Sequence, residues 1–101
     1  MVLIHIPFKE EFKDRMLNGW KTCTSRNRKY GKIGDEFRIF GSRFKLIRVE
    51  KLTLYDVAFT YYKHEGFAYA DDFLLCWKQL HPRKTLDLNQ EVWVHHFKRI
   101  L

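Results

Sequence analysis

A chain of 101 residues with 46% hydrophobic and 17% aromatic content has enough apolar surface for one packed core, so residues 1–101 read as a single domain and not as a disordered segment. Lys and Arg number 19 against 12 Asp and Glu, a net charge of +7 that favours a polyanionic partner, nucleic acid above all, over a soluble protein that is merely basic. No run approaches the roughly 18 apolar residues of a membrane span, and Cys23 and Cys76 form neither a C-x-x-C pair nor a disulfide framework, so reduced thiols, the cytoplasm and no membrane partner are expected.

The opening Met1–Pro7 stretch is too short for a signal peptide, being broken by Pro7. Val2 to Ile6 suits a buried strand, and Pro7 then fits a first helical turn. Phe8, Phe12, Met16 and Leu17 recur with helical spacing, with Glu10 and Glu11 early and Arg15 late, as the helix dipole prefers. Asn18-Gly19 stops this helix. Trp20 to Arg26 is the next strand, Asn27 to Tyr30 a basic loop, and Gly31 and Gly34 bracket a turn.

Phe37, Ile39 and Phe40 mark a strand that Gly41-Ser42 turns back as a hairpin. In the long strand Phe44–Leu52 the alternation slips: Phe44 and Leu46 share one face, Ile47 and Val49 the other. Such a slip predicts a bulge, or a strand curled and covered on both sides. Thr53 and Asp56 have capping-box spacing ahead of a helix with Leu54, Val57, Ala58 and Tyr61, ending near Glu65-Gly66. Asp71 and Asp72 open another helix, with Phe73, Leu74, Trp77 and Leu80 on its apolar face, and Pro82 stops it. After the Arg83–Gln90 loop, Val92, Trp93, Val94 and Phe97 form a closing strand. The order β-α-β-β-β-α-α-β gives an α+β class: a small mixed β-barrel of about five to seven strands flanked by helices.

The strand from Trp20 to Arg26 is chemically unusual. A packing strand would place Val or Ile at half its positions; this one carries an amine, three hydroxyls, a thiol and a guanidinium. Lys21, Thr24 and Glu65 are the candidate catalytic residues. A hydroxyl beside an amine is a minimal activated nucleophile, predicted to lie about 2.6–3.2 Å from it or one water away, and a facing carboxylate can pass a proton to a leaving amine. On a regular strand Lys21 and Thr24 point to opposite faces, so convergence needs an irregular backbone or a curling lysine. As catalytic residues Lys21 and Thr24 are expected outside the core, their replacement abolishing turnover with the fold intact; the plainer reading is a solvated lysine beside edge-strand threonines. Trp20, Thr22, Arg26, Arg28, Lys29 and Asp35 are the expected substrate- or nucleic-acid-binding residues, Asp35 doubling as a turn stabiliser.

No metal and no cofactor is expected. His95 and His96 are adjacent and face opposite ways on a strand, while His5, His64 and His81 lack ligand spacing. Cys23 is either a small inward core residue or a reactive thiol in cationic surroundings. The many aromatics interleaved with Lys and Arg supply candidates for base stacking.

These residues give the chain a resemblance to the ASCH family, a branch of the PUA-like barrels. It rests on Leu17-Asn18-Gly19, on Lys21-Thr22-x-Thr24-x-Arg26, and on Gly34-Asp35 before a Phe/Ile strand. It continues through Leu52-Thr53-Leu54-x-Asp56-Val57-Ala58, Glu65-Gly66-Phe67, Phe73 with Trp77, and Val92-x-Val94…Phe97. The resemblance implies a small PUA-like barrel with helices beside a cleft, and RNA or a modified nucleoside as partner. One similar branch removes the acetyl group of N4-acetylcytidine. Its matching residues imply Lys21 as base, Thr24 as nucleophile and Glu65 as proton shuttle. A non-catalytic RNA-binding module acting in translation or transcription, or a small ribonuclease, is the alternative. The chain departs from that branch at Trp20, in its Phe44–Leu52 strand and at Gly66-Phe67.

Overall fold

The structure, a computed structural model, describes residues 2–101. A 3₁₀ turn at Glu10–Phe12 leads into α1 (Lys13–Leu17), followed by β1 (Cys23–Arg26), β2 (Glu36–Ile39) and β3 (Ser42–Thr53). Helices α2 (Leu54–Thr60) and α3 (Ala70–Leu80) precede β4 (Glu91–Ile100). The strands pair antiparallel in the order β1-β4-β3-β2, a curled four-stranded half-barrel with helices packed on it.

The N-terminal strand and the count of five to seven strands are therefore corrected. Among the described residues the sheet has four strands, and the Val2–Ile6 stretch contributes one parallel bridge, Leu3 to Glu36. Val2 and Leu3 lie exposed, only Ile6 is buried, and Pro7 has no N–H with which to continue pairing. The first helix also starts later than its spacing suggests. Lys9 is extended, and the Pro7 carbonyl accepts from Arg26 Nη2 at 2.6 Å instead of starting a helical turn.

The slip in the long strand is a bulge. Leu46 pairs with Phe97 and Arg48 with His96, leaving Ile47 as the extra residue, 48% exposed. Skipping Ile47 returns Val49 to the face that Leu46 occupies, since cross-strand partners share a face. The β2–β3 hairpin closes through Phe40 and Gly41, both at positive φ (54° and 73°), the pattern of a two-residue primed turn.

Both faces of the curled sheet are covered, which explains why β4 does not simply alternate. Val92 and Val94 pack with Cys23 against Leu54, Val57 and Ala58 of α2 and Phe73 and Trp77 of α3. Phe97 turns the other way and meets Phe37, Phe44 and Leu46, with Ile6, Phe12 and Met16 closing that side. Phe37 stacks on Phe44 at 5.3 Å, and Phe97 stands edge-on to both at 5.5 Å. Of the expected core, Phe12, Met16, Phe37, Phe73, Trp77 and Val94 are buried, while Phe8 and Ile39 are half-buried.

The caps behave as read. Thr53 Oγ1 accepts from the Asp56 N–H at 3.1 Å and starts α2. That helix ends at Thr60, short of Glu65-Gly66; turns carry the chain onward, with Glu65 N–H donating to Tyr61 O.

Candidate active site

β1 is an edge strand, so one side of it is open. Beside that edge the chain after α2 returns, and Lys21 and Glu65 form an isolated antiparallel bridge. Thr22 and Cys23 both donate their N–H to His64 O, at 2.7 and 3.1 Å, pinning the turn to the strand. Gly66 makes the approach possible. Its φ is +99°, and a Cβ there would lie 3.1 Å from Lys21 Cβ and 3.3 Å from Arg15 Cδ.

Lys21 then curls into the protein. Its Nζ donates to Cys23 O at 2.9 Å, to Glu65 O at 3.0 Å and to Glu65 Oε1 at 3.0 Å. Three acceptors match the three N–H bonds of an ammonium. The Phe12 ring covers it, with Nζ 4.8 Å from the centroid. The second Glu65 oxygen, Oε2, accepts from Ser25 Oγ at 2.5 Å.

A cavity of about 600 Å³ runs along the open edge of β1, between the Pro7–Phe12 stretch, the Glu65–Phe67 turn and α3. Because it follows an edge and not a face, Thr24 and Ser25 both line it, although a strand sends them opposite ways. Aromatic rings form much of its wall: Phe8, Phe12, Tyr30, Phe67, Phe73 and Trp77. Its charges are Lys21, Arg26 and Arg28 against Glu65, with Lys9 at the rim. A flat, electron-rich ligand of some 600 Å³ or less fits such a lining.

Arg26 knits one end of the cleft. Its Nε donates to Thr24 Oγ1 at 3.0 Å, and its guanidinium lies 4.9 Å from the Phe8 ring centre and 5.6 Å from that of Tyr30. Burial lowers its pKa, with Tyr30 acting in the opposite direction. The Tyr30 phenol is drawn below its ordinary value, first by a hydrogen bond from Arg28 and further by the charges of Arg26 and Arg28, against a burial that raises it. Behind β1, His95 Nε2 accepts from the Tyr30 N–H at 3.0 Å, and Nδ1 lies 3.3 Å from Thr24 O. A backbone N–H only donates, so this imidazole is neutral with its proton on Nδ1, and burial lowers its pKa accordingly.

The structure brings Lys21, Thr24, Glu65, Arg26 and Arg28 to one cleft. It does not link Lys21 to Thr24: the lysine donates elsewhere, and Thr24 Oγ1 serves Arg26. Nor are these residues outside the core, since Lys21 is 3% and Thr24 4% exposed. The solvated-lysine reading fails for the same reason. Four expected binding residues lie elsewhere. Trp20 is 67% exposed beside a separate depression with Arg15 and Lys63. Lys29 sits over Trp93, 5.4 Å from the ring centre. Asp35 is buried, holding the Lys32 N–H at 3.0 Å as a turn residue. Thr22 uses its backbone to join His64 and Phe97 and does not line the cavity.

Cys23 is a core residue. Burial, and then the charge of Glu65, push its thiol well above the ordinary value, so it is no nucleophile at neutral pH. The cavity also contains residues that sequence reasoning passed over. Ser25 sat in plain view among the hydroxyls; Cys76 and His81 gave no signal beyond their place on or after α3. Burial raises the Cys76 thiol too. His81 Nε2 lies 3.3 Å from Asn27 Nδ2, joining α3 to the loop after β1 across the cleft. Among the described residues no group of three or more metal-ligating side chains occurs.

No family model and no curated protein matches the sequence. Solved structures do match the fold. An ASCH domain from Lactobacillus crispatus superimposes with a TM-score of 0.65 at 15% identity, covering 97% of this chain and 78% of that one. Protein EF3133 from Enterococcus faecalis gives 0.66 at 16% identity, covering 98% and 78%. Hypothetical protein PH0355 gives 0.70 at 14% identity, covering 92% and 94%. At such identities the likeness is one of fold, and the chain has the fold of an ASCH domain.

Proposed function

We propose that this chain is an ASCH-family amidohydrolase whose cleft takes a nucleoside with an acylated exocyclic amine, of the N4-acetylcytidine kind, and hydrolyses the acyl amide. The observation that carries the reading is the Lys21–Glu65 pair, buried in the wall of an aromatic cleft beside two hydroxyls. A buried ion pair adds little to stability over a well-packed apolar pair, so its presence in a cleft wall favours a chemical reason for it. Glu65 is placed to receive a proton from an attacking hydroxyl and return it to the departing amine. Lys21 orients that carboxylate and puts positive charge beside the reacting carbonyl. Aromatic walls suit the base, and Arg26 and Arg28 suit its carbonyl oxygen or an attached phosphate. Two unpaired thiols agree with a reducing, cytoplasmic setting.

A second reading, an RNA-binding module without chemistry, is favoured by the net charge of +7 and by the exposed Trp20 ring beside Arg15 and Lys63. Incubation with N4-acetylcytidine and with single-stranded RNA, followed by chromatography, separates the readings. Cytidine formed with RNA left intact supports the amidohydrolase. Shortened RNA makes the protein a ribonuclease. RNA retained without either product, and released by salt, leaves a binding module.

A further inference from the structure

The geometry points to Ser25, and not Thr24, as the hydroxyl that attacks the acyl carbon, an inference that rests on the amide-hydrolysis reading. Ser25 lines the cleft at 8% exposure, and its Oγ donates to Glu65 Oε2 across 2.5 Å. The other oxygen of the same carboxylate accepts from Lys21 Nζ at 3.0 Å. Nucleophile, base and orienting group thus follow one another as Ser25–Glu65–Lys21, the arrangement an activated hydroxyl requires. Thr24 lacks such a link. Its Oγ1 accepts from Arg26 Nε, and all three Lys21 donors are directed to Cys23 and Glu65.

The strand register adds a second observation. Cys23 turns its N–H to His64 O and its C=O to Lys21 Nζ, away from β4, so in the antiparallel ladder Thr24 and Arg26 turn their backbone groups to β4. Ser25 consequently turns its N–H and C=O to the open edge, where the cleft lies. A backbone N–H beside the nucleophile's own hydroxyl is a ready donor to a developing oxyanion. Position 25 is a free position in the Lys21-Thr22-x-Thr24-x-Arg26 pattern, so the family resemblance assigns it no role.

The steps balance. As Ser25 Oγ bonds to the acyl carbon, its proton passes to Glu65 Oε2 and the carbonyl electron pair moves onto oxygen. When that pair returns, the C–N bond breaks, and the leaving amine takes the proton from the Glu65 carboxylic acid. An acyl ester on Ser25 and a free amino-nucleoside result. Water then attacks the ester, giving a proton to Glu65; the C–Oγ bond breaks, and Ser25 recovers its proton from Glu65. The net reaction consumes one water and yields amine and carboxylic acid.

The test compares the wild type, Ser25→Ala, Ser25→Cys and Thr24→Ala with N4-acetylcytidine and with p-nitrophenyl acetate, an acyl donor that needs no nucleoside recognition. Turnover is followed, and acid-quenched protein is mapped by peptide mass spectrometry, with each variant's fold checked by circular dichroism. The inference predicts an acetyl group on Ser25, loss of that group and about a thousandfold or greater fall in kcat in Ser25→Ala, and a thioester on Ser25→Cys. Thr24→Ala keeps the Ser25 adduct while its KM rises, because Arg26 loses an anchor. An acetyl group on Thr24, or undiminished turnover in Ser25→Ala, overturns the inference. Should Ser25→Ala not fold, Ser25→Cys decides it, and absence of the thioester counts against Ser25. If N4-acetylcytidine survives the wild type, the proposed function falls. Ser25 is then judged by p-nitrophenyl acetate alone: labelling there upholds it, and no labelling overturns it.

Discussion

Lys21 Nζ stands 3.0 Å from Glu65 Oε1, although the two are 44 positions apart in the chain. Both side chains are almost closed to water, at 3% and 4% exposure. The pair therefore belongs to the fold as much as to the cleft, because removing one partner leaves the other's charge buried and uncompensated. Lys21→Met should lower the unfolding free energy by about 3–5 kcal/mol, and Glu65→Leu by a similar amount. The double variant Lys21→Met/Glu65→Leu should lose much less than the sum of the single changes. Urea denaturation of the four proteins closes the cycle. A single change costing under about 1 kcal/mol would mean that the pair is solvated.

Gly66 holds the same contact from the other side. Gly66→Ala should destabilise by about 1–3 kcal/mol, combining backbone strain at positive φ with the push of a new Cβ against Lys21. Gly34→Ala is the control. Its φ is +95° but nothing lies within 4 Å of the added Cβ, so it reports strain alone. Only Gly66→Ala should also slow turnover, since only there is Lys21 displaced. Equal effects of the two changes on stability and rate would contradict the close approach.

His95 makes stability depend on pH in a definite direction. Burial, and after it the Arg26 charge, hold its pKa below the ordinary value of about 6.5, while Thr24 and Trp93 backbone groups and Glu65 act in the opposite direction. With the folded value below the unfolded one, the unfolded chain binds the extra proton. The contribution is complete above about pH 6.5 and is lost as pH falls through the folded value. Protonation also costs the hydrogen bond from Tyr30 N–H to Nε2, so the Tyr30 loop should loosen first. Thermal melts between about pH 7.5 and 5 should show the fall, and His95→Gln should flatten it. An unchanged slope in that variant would assign the acid sensitivity elsewhere.

Much of this was legible in the residues, and the exceptions have physical causes. The α2 cap, the α3 apolar face and the bulge near Ile47 are local, so spacing alone reveals them. Val2–Ile6 misled because apolar content does not say whether a partner edge is free; only Leu3 finds one. The convergence of Lys21 and Glu65 came through the family resemblance and a chemical argument about residue types, since no local pattern links positions 44 apart. Strand alternation puts Lys21 and Ser25 on one face and Thr24 on the other, so it favoured Ser25; the Ser25–Glu65 hydrogen bond stayed hidden because no local pattern brings position 65 back to β1. Alternation holds for faces of a sheet, but a cleft along the free edge of β1 is reached from both. Trp20 and Lys29 were drawn toward the site by their closeness in sequence, and the structure sends both outward.

The most direct test of the central claim is the conversion of N4-acetylcytidine by the wild type and by folded Glu65→Gln, with cytidine and acetate followed together by proton NMR. The cleft chemistry predicts equal amounts of the two products with the wild type and a rate about 10²–10⁴-fold lower in the variant, the range lost with a positioned acid–base group. Substrate left unchanged by the wild type, or consumed equally fast by Glu65→Gln, would contradict it.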